Sequence, residues 1–167
     1  MTTILMTGAA GFIGSHLCDA LLQQEYHIIG VDNLILGKPE NIQHLENHSR
    51  FEFHKLDAAD PDQMQPLFKK NRIDTVFHMA ANSDIQKSSQ DPGVDIVNTF
   101  YTTTTTLELM RQNKVQDMVF ASSSAIYGEV QGRISEDHGP LWPVSHYGAC
   151  KLASEALISS YAENYGM

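Results

Sequence analysis

Tyr147 and Lys151 stand four residues apart in a stretch, Ser145–Tyr165, that reads as a helix, so their side chains fall on one face. A phenol with a pKa of about 10 is a poor base at neutral pH, but a nearby ammonium favours the phenolate. A phenolate in that setting can take the proton of a hydroxyl group. Upstream, Ser122-Ser123-Ser124 follow an apolar run that reads as a strand. A serine there is placed to relay or orient the proton. Tyr-x-x-x-Lys alone is common on helix surfaces, so its meaning depends on what else the fold brings to it.

The decisive company is at the other end of the chain. Met-Thr-Gly-Ala-Ala-Gly-Phe-Ile-Gly-Ser-His-Leu (6–17) joins an apolar β-branched run, Thr2-Thr3-Ile4-Leu5-Met6, to a helical pattern through Leu17, Leu21 and Leu22. Gly8 can take backbone angles that a Cβ forbids. Gly11 lets a ligand approach the main chain, and Gly14 lets the helix pack closely on the strand. Phe12 and Ile13 open the helix, whose N-terminus offers free N–H groups and a partial positive charge to a pyrophosphate. The spacing is Gly-x-x-Gly-x-x-Gly rather than the commoner Gly-x-Gly-x-x-Gly. A second apolar run, His27–Val31, ends in Asp32, placed to bond an adenosine ribose. The next residues, Asn33, Leu34 and Ile35, include no Arg or Lys for a 2′-phosphate, which predicts NAD rather than NADP.

These residues require a particular frame. Phe51–Leu56 alternates as a third strand ending at Asp57-Ala58, where the carboxylate is a candidate acceptor for the adenine amino group. Asp60-Pro61-Asp62-Gln63 reads as a helix start. Ile73–His78 is a fourth strand, and Met79, Ala80 and Ala81 after it are mostly small and leave room for a cofactor. Ser83–Gln90 reads as a polar loop. A helix over Val94–Gln112 follows, with Val97, Phe100, Leu107 and Met110 inward; its five threonines, Thr102–Thr106, oppose helix propensity. Gln116–Ala121 is the fifth strand, and Gly128–Val144 a loop. The rhythm predicts an α/β fold: a Rossmann-type doubly wound parallel sheet of five or so strands flanked by helices.

Composition narrows the class. The 167 residues are one domain by length, and 42% are apolar. Twenty acids against 11 bases give a charge of −9, which argues against nucleic-acid binding. No stretch approaches a membrane span, and the N-terminus reads as no signal peptide. Cys18 and Cys150 read as free buried thiols of a reducing, cytoplasmic compartment. Eight histidines show no zinc-site spacing, so no metal is expected.

The chain resembles the extended short-chain dehydrogenase/reductase family, in particular its NAD-dependent nucleotide-sugar epimerases of the UDP-glucose 4-epimerase type. The motifs that carry the resemblance span the chain: Thr7–Gly14, Asp32-Asn33-Leu34, Asp57, His78-Met79-Ala80-Ala81, Ser122–Gly128 and Tyr147-Gly148-Ala149-Cys150-Lys151. The resemblance implies that Tyr147 is the catalytic base in a transient hydride transfer to bound NAD. It also implies that Lys151 lowers the phenol pKa and binds the nicotinamide ribose, and that Ser123 is the catalytic serine, with Ser122 and Ser124 as alternatives. Sugar-dehydrating members carry Asp-Glu after that serine and decarboxylating ones a Glu in the second position. Ser124-Ala125 stands there instead, which favours epimerisation.

Two departures accompany it. Family epimerases carry Asn-Val-x-Gly-Thr before the fifth strand; counting back from the serines places Phe100 at that Asn, with Asn98 two residues out of register. Family members are about twice as long, so residues 1–167 are expected to be the NAD-binding half, inactive alone, of an enzyme acting on a UDP-hexose. The resemblance also implies a homodimer. The same residues are compatible with a sugar-nucleotide reductase or dehydrogenase, or with a non-catalytic NAD-binding module.

Overall fold

The computed structural model describes residues 2–167, apart from the side chain of Ile85. Five strands, β1 (Thr3–Thr7), β2 (His27–Asp32), β3 (Phe51–Lys55), β4 (Thr75–His78) and β5 (Asp117–Phe120), form one sheet in the order β3-β2-β1-β4-β5. Every pairing is parallel. The inner strands β1 and β2 are covered on both faces, so nearly every residue in them is buried, and they read as continuous apolar runs. The edge strand β5 alternates between exposed and half-buried residues.

Helices cover both faces. On one side α1 (Phe12–Gln23) buries Gly14, Cys18 and Leu22, one turn apart, against Met6, Ile28 and Phe51. On the other, Met64, Leu67 and Phe68 of α2 (Pro61–Lys70) meet Leu5, Ile29, Val76 and Met110. Asp60 caps α2 by accepting from the amides of Asp62 and Gln63, with Pro61 in the first turn, as the sequence predicts.

Ser83–Gln90 differs from the expected loop. Ile85–Gln90 forms a short helix, α3, capped by the Asp84 carboxylate, which accepts from the Lys87 amide. A helix of six residues has no apolar stripe long enough to show in the sequence.

The predicted long helix runs through 93–113 in three segments: α4 (Gly93–Asp95), a π-helical stretch (Ile96–Tyr101) and α5 (Thr102–Asn113). The wider π winding changes the phase of the exposed face. Leu107 and Met110 point inward as expected, but Val97 is 42% exposed. The threonines are tolerated because their hydroxyls bond back to carbonyls a turn earlier: Thr103 to Thr99 at 2.9 Å and Thr106 to Thr102 at 2.7 Å. That lets Thr102, Thr103 and Thr106 be buried inside the chain.

The last helix, α6 (His146–Tyr165), starts at Ser145, whose hydroxyl accepts from the Gly148 amide, and ends at Gly166 in the left-handed region. Cys18 and Cys150 are buried and unpaired. Among the described residues no helix is long and apolar enough to cross a membrane.

Candidate active site

In parallel sheets ligands gather beyond the carboxyl ends of the strands, where the strand order reverses. Here that point lies between β1 and β4, and a cleft of about 620 Å³ opens there.

The turn from β1 into α1 forms one wall. Gly8 has φ +71°, and a Cβ on it would stand 2.8 Å from the Ala80 nitrogen. A Cβ on Gly14 would collide with the Gly8 carbonyl oxygen, so the helix can approach the turn only with glycine there. Gly11 precedes α1 and carries no capping side chain. Among the described residues, the amides of Phe12 and Ile13 have no protein acceptor. These open donors at a helix head fit a pyrophosphate. The side chains of Phe12 and Ile13 also line the cleft and stand open to solvent at 78% and 58% exposure.

Asp32 lies across from that turn. Its carboxylate accepts from Ala10 N–H at 3.0 Å and Leu34 N–H at 2.8 Å. Burial raises its pKa, against these backbone hydrogen bonds, which lower it. A carboxylate offers about four acceptor positions, so two protein donors leave room for a ribose hydroxyl. The backbone of Gly37 packs against it; a Cβ there would meet both oxygens at 2.6 Å.

Asn33, Asp57, Ala58, Met79, Ala80, Ala81, Ser122, Tyr147 and Lys151 all line the same cleft. Leu34 does not. Its φ of +62° turns it onto the core cluster around Met6 and Cys18, and Ile35 and Leu36 take the cleft wall instead. Ser123 is also off the wall. It caps a 3-10 turn (Ser124–Tyr127) by accepting from the Ala125 amide at 3.2 Å.

Tyr147 and Lys151 differ from the simple expectation. Lys151 is 1% exposed and donates to the Ala121 carbonyl at 2.7 Å. Its Nζ lies 4.5 Å from the Phe120 ring centroid and 5.9 Å from that of Tyr147. Burial pushes its pKa down to about 8, with Glu155 opposing. The Tyr147 phenol is shifted up, not down. Burial raises it, hydrogen bonding from Ser123 lowers it, and the charge of Asp95 raises it further. The ammonium is turned to a carbonyl, so the polypeptide alone does not produce a phenolate. Ser123 is the one of the three serines whose hydroxyl lies near enough to the phenol to lower its pKa.

Sequence reasoning missed several wall residues: Lys38 and Asn41 on the loop after Asp32, and Asn82 and Lys87 after β4. Asn98 also lines the cleft, two residues from the expected register, on the π-helical stretch whose winding differs from an α-helix. Asp95 is fully buried, and its Oδ1 accepts from Asn82 Nδ2 at 2.8 Å. No local pattern marks either residue, because their place depends on how 93–113 packs on α6.

A parallel sheet with a glycine turn, a buried carboxylate at the end of β2 and a Tyr–Lys helix on one cleft defines a dinucleotide-binding domain. The chain belongs to the NAD dependent epimerase/dehydratase family, which matches residues 4–167. It is 35% identical over 98% of its length to the UDP-glucose 4-epimerase of Mycolicibacterium smegmatis, of which it covers 52%. It superposes on the UDP-glucose 4-epimerase of Thermus thermophilus, solved in complex with NAD, with a TM-score of 0.91 and 36% identity, covering 99% of this chain and 52% of that one. The UDP-glucuronic acid 4-epimerase of Bacillus cereus, solved with UDP-glucuronic acid and NAD, gives 0.89 at 39% identity, with 99% and 54% covered. The chain thus spans about half the length of the curated relatives it matches.

Proposed function

We propose that residues 1–167 are the NAD-binding half of a nucleotide-sugar 4-epimerase that acts on UDP-hexoses. One observation carries this reading: the glycine turn, Asp32, Tyr147 and Lys151, drawn from both ends of the chain, line a single cleft. The named activities of the relatives support it.

In this reading the open amides of Phe12 and Ile13 hold the pyrophosphate, Asp32 the adenosine ribose and Asp57 the adenine amino group. Met79, Ala80 and Ala81 leave space beside them, and Ser122 and Lys151 face the nicotinamide ribose. NAD, when bound, would supply the two-electron acceptor for oxidation of the sugar carbon and, once reduced, the donor for its re-reduction. Its positive ring adds what the polypeptide lacks, a charge that favours the Tyr147 phenolate. Tyr147 then takes the proton of the sugar hydroxyl and later returns it, with Ser123 orienting the proton. Ala125 has no proton to give, which favours epimerisation over dehydration.

The groups that grip the nucleotide diphosphate of the substrate lie outside residues 1–167 in this reading. Poor positioning alone costs about a hundredfold or more. The 167-residue chain should therefore bind NAD yet leave UDP-galactose and UDP-glucose unchanged, whereas a protein carrying the missing half should interconvert them. Tyr147→Phe in that longer protein should abolish turnover with NAD still bound. Steady turnover by the short chain would overturn the first claim, and full activity of the Tyr147→Phe variant the second.

Self-association belongs to the same reading. Ile96, Val97 and Tyr101 are exposed apolar residues on 93–113, beside α6, and a second copy would cover them. Sedimentation at micromolar concentration should show a dimer; monomer alone would sink this. Cys18 and Cys150 are buried free thiols, the state that a reducing, cytoplasmic compartment maintains.

A further inference from the structure

His78 is fully buried at the end of β4 and does not line the cleft, whereas Met79 and Ala80 after it do. Its Nδ1 is 2.8 Å from the Thr7 hydroxyl and its Nε2 is 3.2 Å from the Thr103 hydroxyl. Thr7 immediately precedes Gly8, and its hydroxyl accepts from the Ala80 amide at 3.3 Å. That amide lies against the Cβ-less face of Gly8. On the other side, the Thr103 hydroxyl accepts from Ser154 Oγ at 3.2 Å. Ser154 is one turn beyond Lys151 on α6.

Counting protons fixes how the network is wired. Thr103 has one hydroxyl proton, and it goes to the Thr99 carbonyl at 2.9 Å. Thr103 therefore accepts from both Ser154 and His78 Nε2–H. His78 Nδ1 is then unprotonated and accepts the proton of Thr7, whose oxygen takes the Ala80 amide. Thr106 Oγ1, 3.5 Å from Nδ1, gives its proton to Thr102 and adds no donor. Every group is satisfied by a neutral Nε2–H imidazole. An added proton on Nδ1 would find Thr7 already donating toward it. Burial and the charge of Lys151, which sits beyond the stacked Phe120 ring, oppose that proton as well.

We infer that His78 is a positioning residue that ties the glycine turn to the helix carrying Tyr147 and Lys151. It does so by bonding Thr7 of β1 with one ring nitrogen and, through Thr103 of α5, Ser154 of α6 with the other. The two halves of the site are then held in one geometry by an imidazole that touches neither cofactor nor substrate. The consequence for NAD affinity rests on the reading proposed above; the wiring itself does not.

The test uses the 167-residue chain. Nitrogen-15 NMR should show His78 as the Nε2–H tautomer, with no titration between about pH 5 and 9. An Nδ1–H tautomer or a titrating ring would overturn the wiring. Ser154→Ala should shift the amide resonances of Gly8 and Ala80, and Ser154→Thr, which keeps the hydroxyl, should restore them. Unmoved amides would overturn the coupling. NAD titrations of Thr7→Val, Ser154→Ala and the double variant should then depart from multiplicative losses by about threefold or more, although the two residues do not touch. Multiplicative losses would refute the transmitted effect. Failure of every protein to bind NAD would instead refute the proposed function, with the NMR measurements still deciding the role of His78. Thr7→Ser guards against misfolding of the valine variant.

Discussion

The ammonium of Lys151 reaches the carbonyl oxygen of Ala121, 2.7 Å away, rather than the phenol of Tyr147. This bond anchors α6 to the end of β5 and leaves a cation buried beside the cleft. Its pKa falls to about 8 because burial disfavours the charged form.

A pH dependence of stability follows. Below about pH 8 Lys151 holds its proton in both states. Between there and the ordinary lysine value of about 10.4, the unfolded chain keeps a proton that the folded chain has lost. Stability should therefore rise with pH across that window. Relative to Lys151→Met, the wild-type chain should gain at most about 3 kcal/mol between roughly pH 8 and 10. Urea midpoints of both proteins at the two pH values measure it, and Tyr147, Cys18 and Cys150 cancel in the difference. An unchanged gap would show that Lys151 titrates normally.

Asp32 should set the choice of cofactor. It is buried, takes two backbone donors and has acceptor capacity left. Asp32→Ala should weaken NAD binding by roughly 1–3 kcal/mol, the worth of a charge-assisted hydrogen bond. NADP should gain relative to NAD, because a carboxylate that repels a 2′-phosphate is gone and Lys38 lines the same cleft. Calorimetry with both cofactors decides; wild-type binding of NADP as tight as NAD would contradict the assignment.

Gly14→Ala tests the contact between helix and turn. The new methyl group would collide with the Gly8 carbonyl oxygen. The helix must move, at a cost of at least about 1–3 kcal/mol. Thermal unfolding should show the loss, and NAD affinity should fall with it because the Phe12 and Ile13 amides move too. An unchanged melting temperature would be inconsistent with this packing.

Glu108 governs the acid side. Arg111 bonds both carboxylate oxygens, at 2.6 and 2.8 Å, and holds the pKa down at about 2, helped by Gln112. Tyr161 of α6 also bonds the carboxylate, at 3.2 Å. The stabilisation is present at neutral pH and should be lost as pH falls from the ordinary glutamate value toward about 2. The pair is over a third exposed, so its worth is about 0.2–1 kcal/mol after screening. Glu108→Gln should flatten the acid limb of stability against pH by that amount, and identical limbs would remove the pair from the account.

The chain's order of residues is enough to reveal what depends on local chemistry. Gly8, Gly11 and Gly14 announce a strand-to-helix turn because only glycine tolerates the approach at 8 and 14. Asp32 ends an apolar run, and Tyr147 and Lys151 share a helix face by period alone. The inner strands are legible because a sheet covered on both faces needs unbroken apolar runs. What only the tertiary structure decides is where those groups point. Lys151 turns to Ala121 because the end of β5 presents an unpaired carbonyl there. Leu34 leaves the cleft because its left-handed backbone swings it onto the core. Asp95 reaches its place through the packing that brings it to Asn82, and Asn98 through the π winding of 96–101, which no local preference specifies. Val97 faces solvent for the same reason. His78 reads as one more strand residue, yet β1 and α5 meet at its two nitrogens and α6 joins through Thr103, since a buried imidazole must find partners from whatever packs around it.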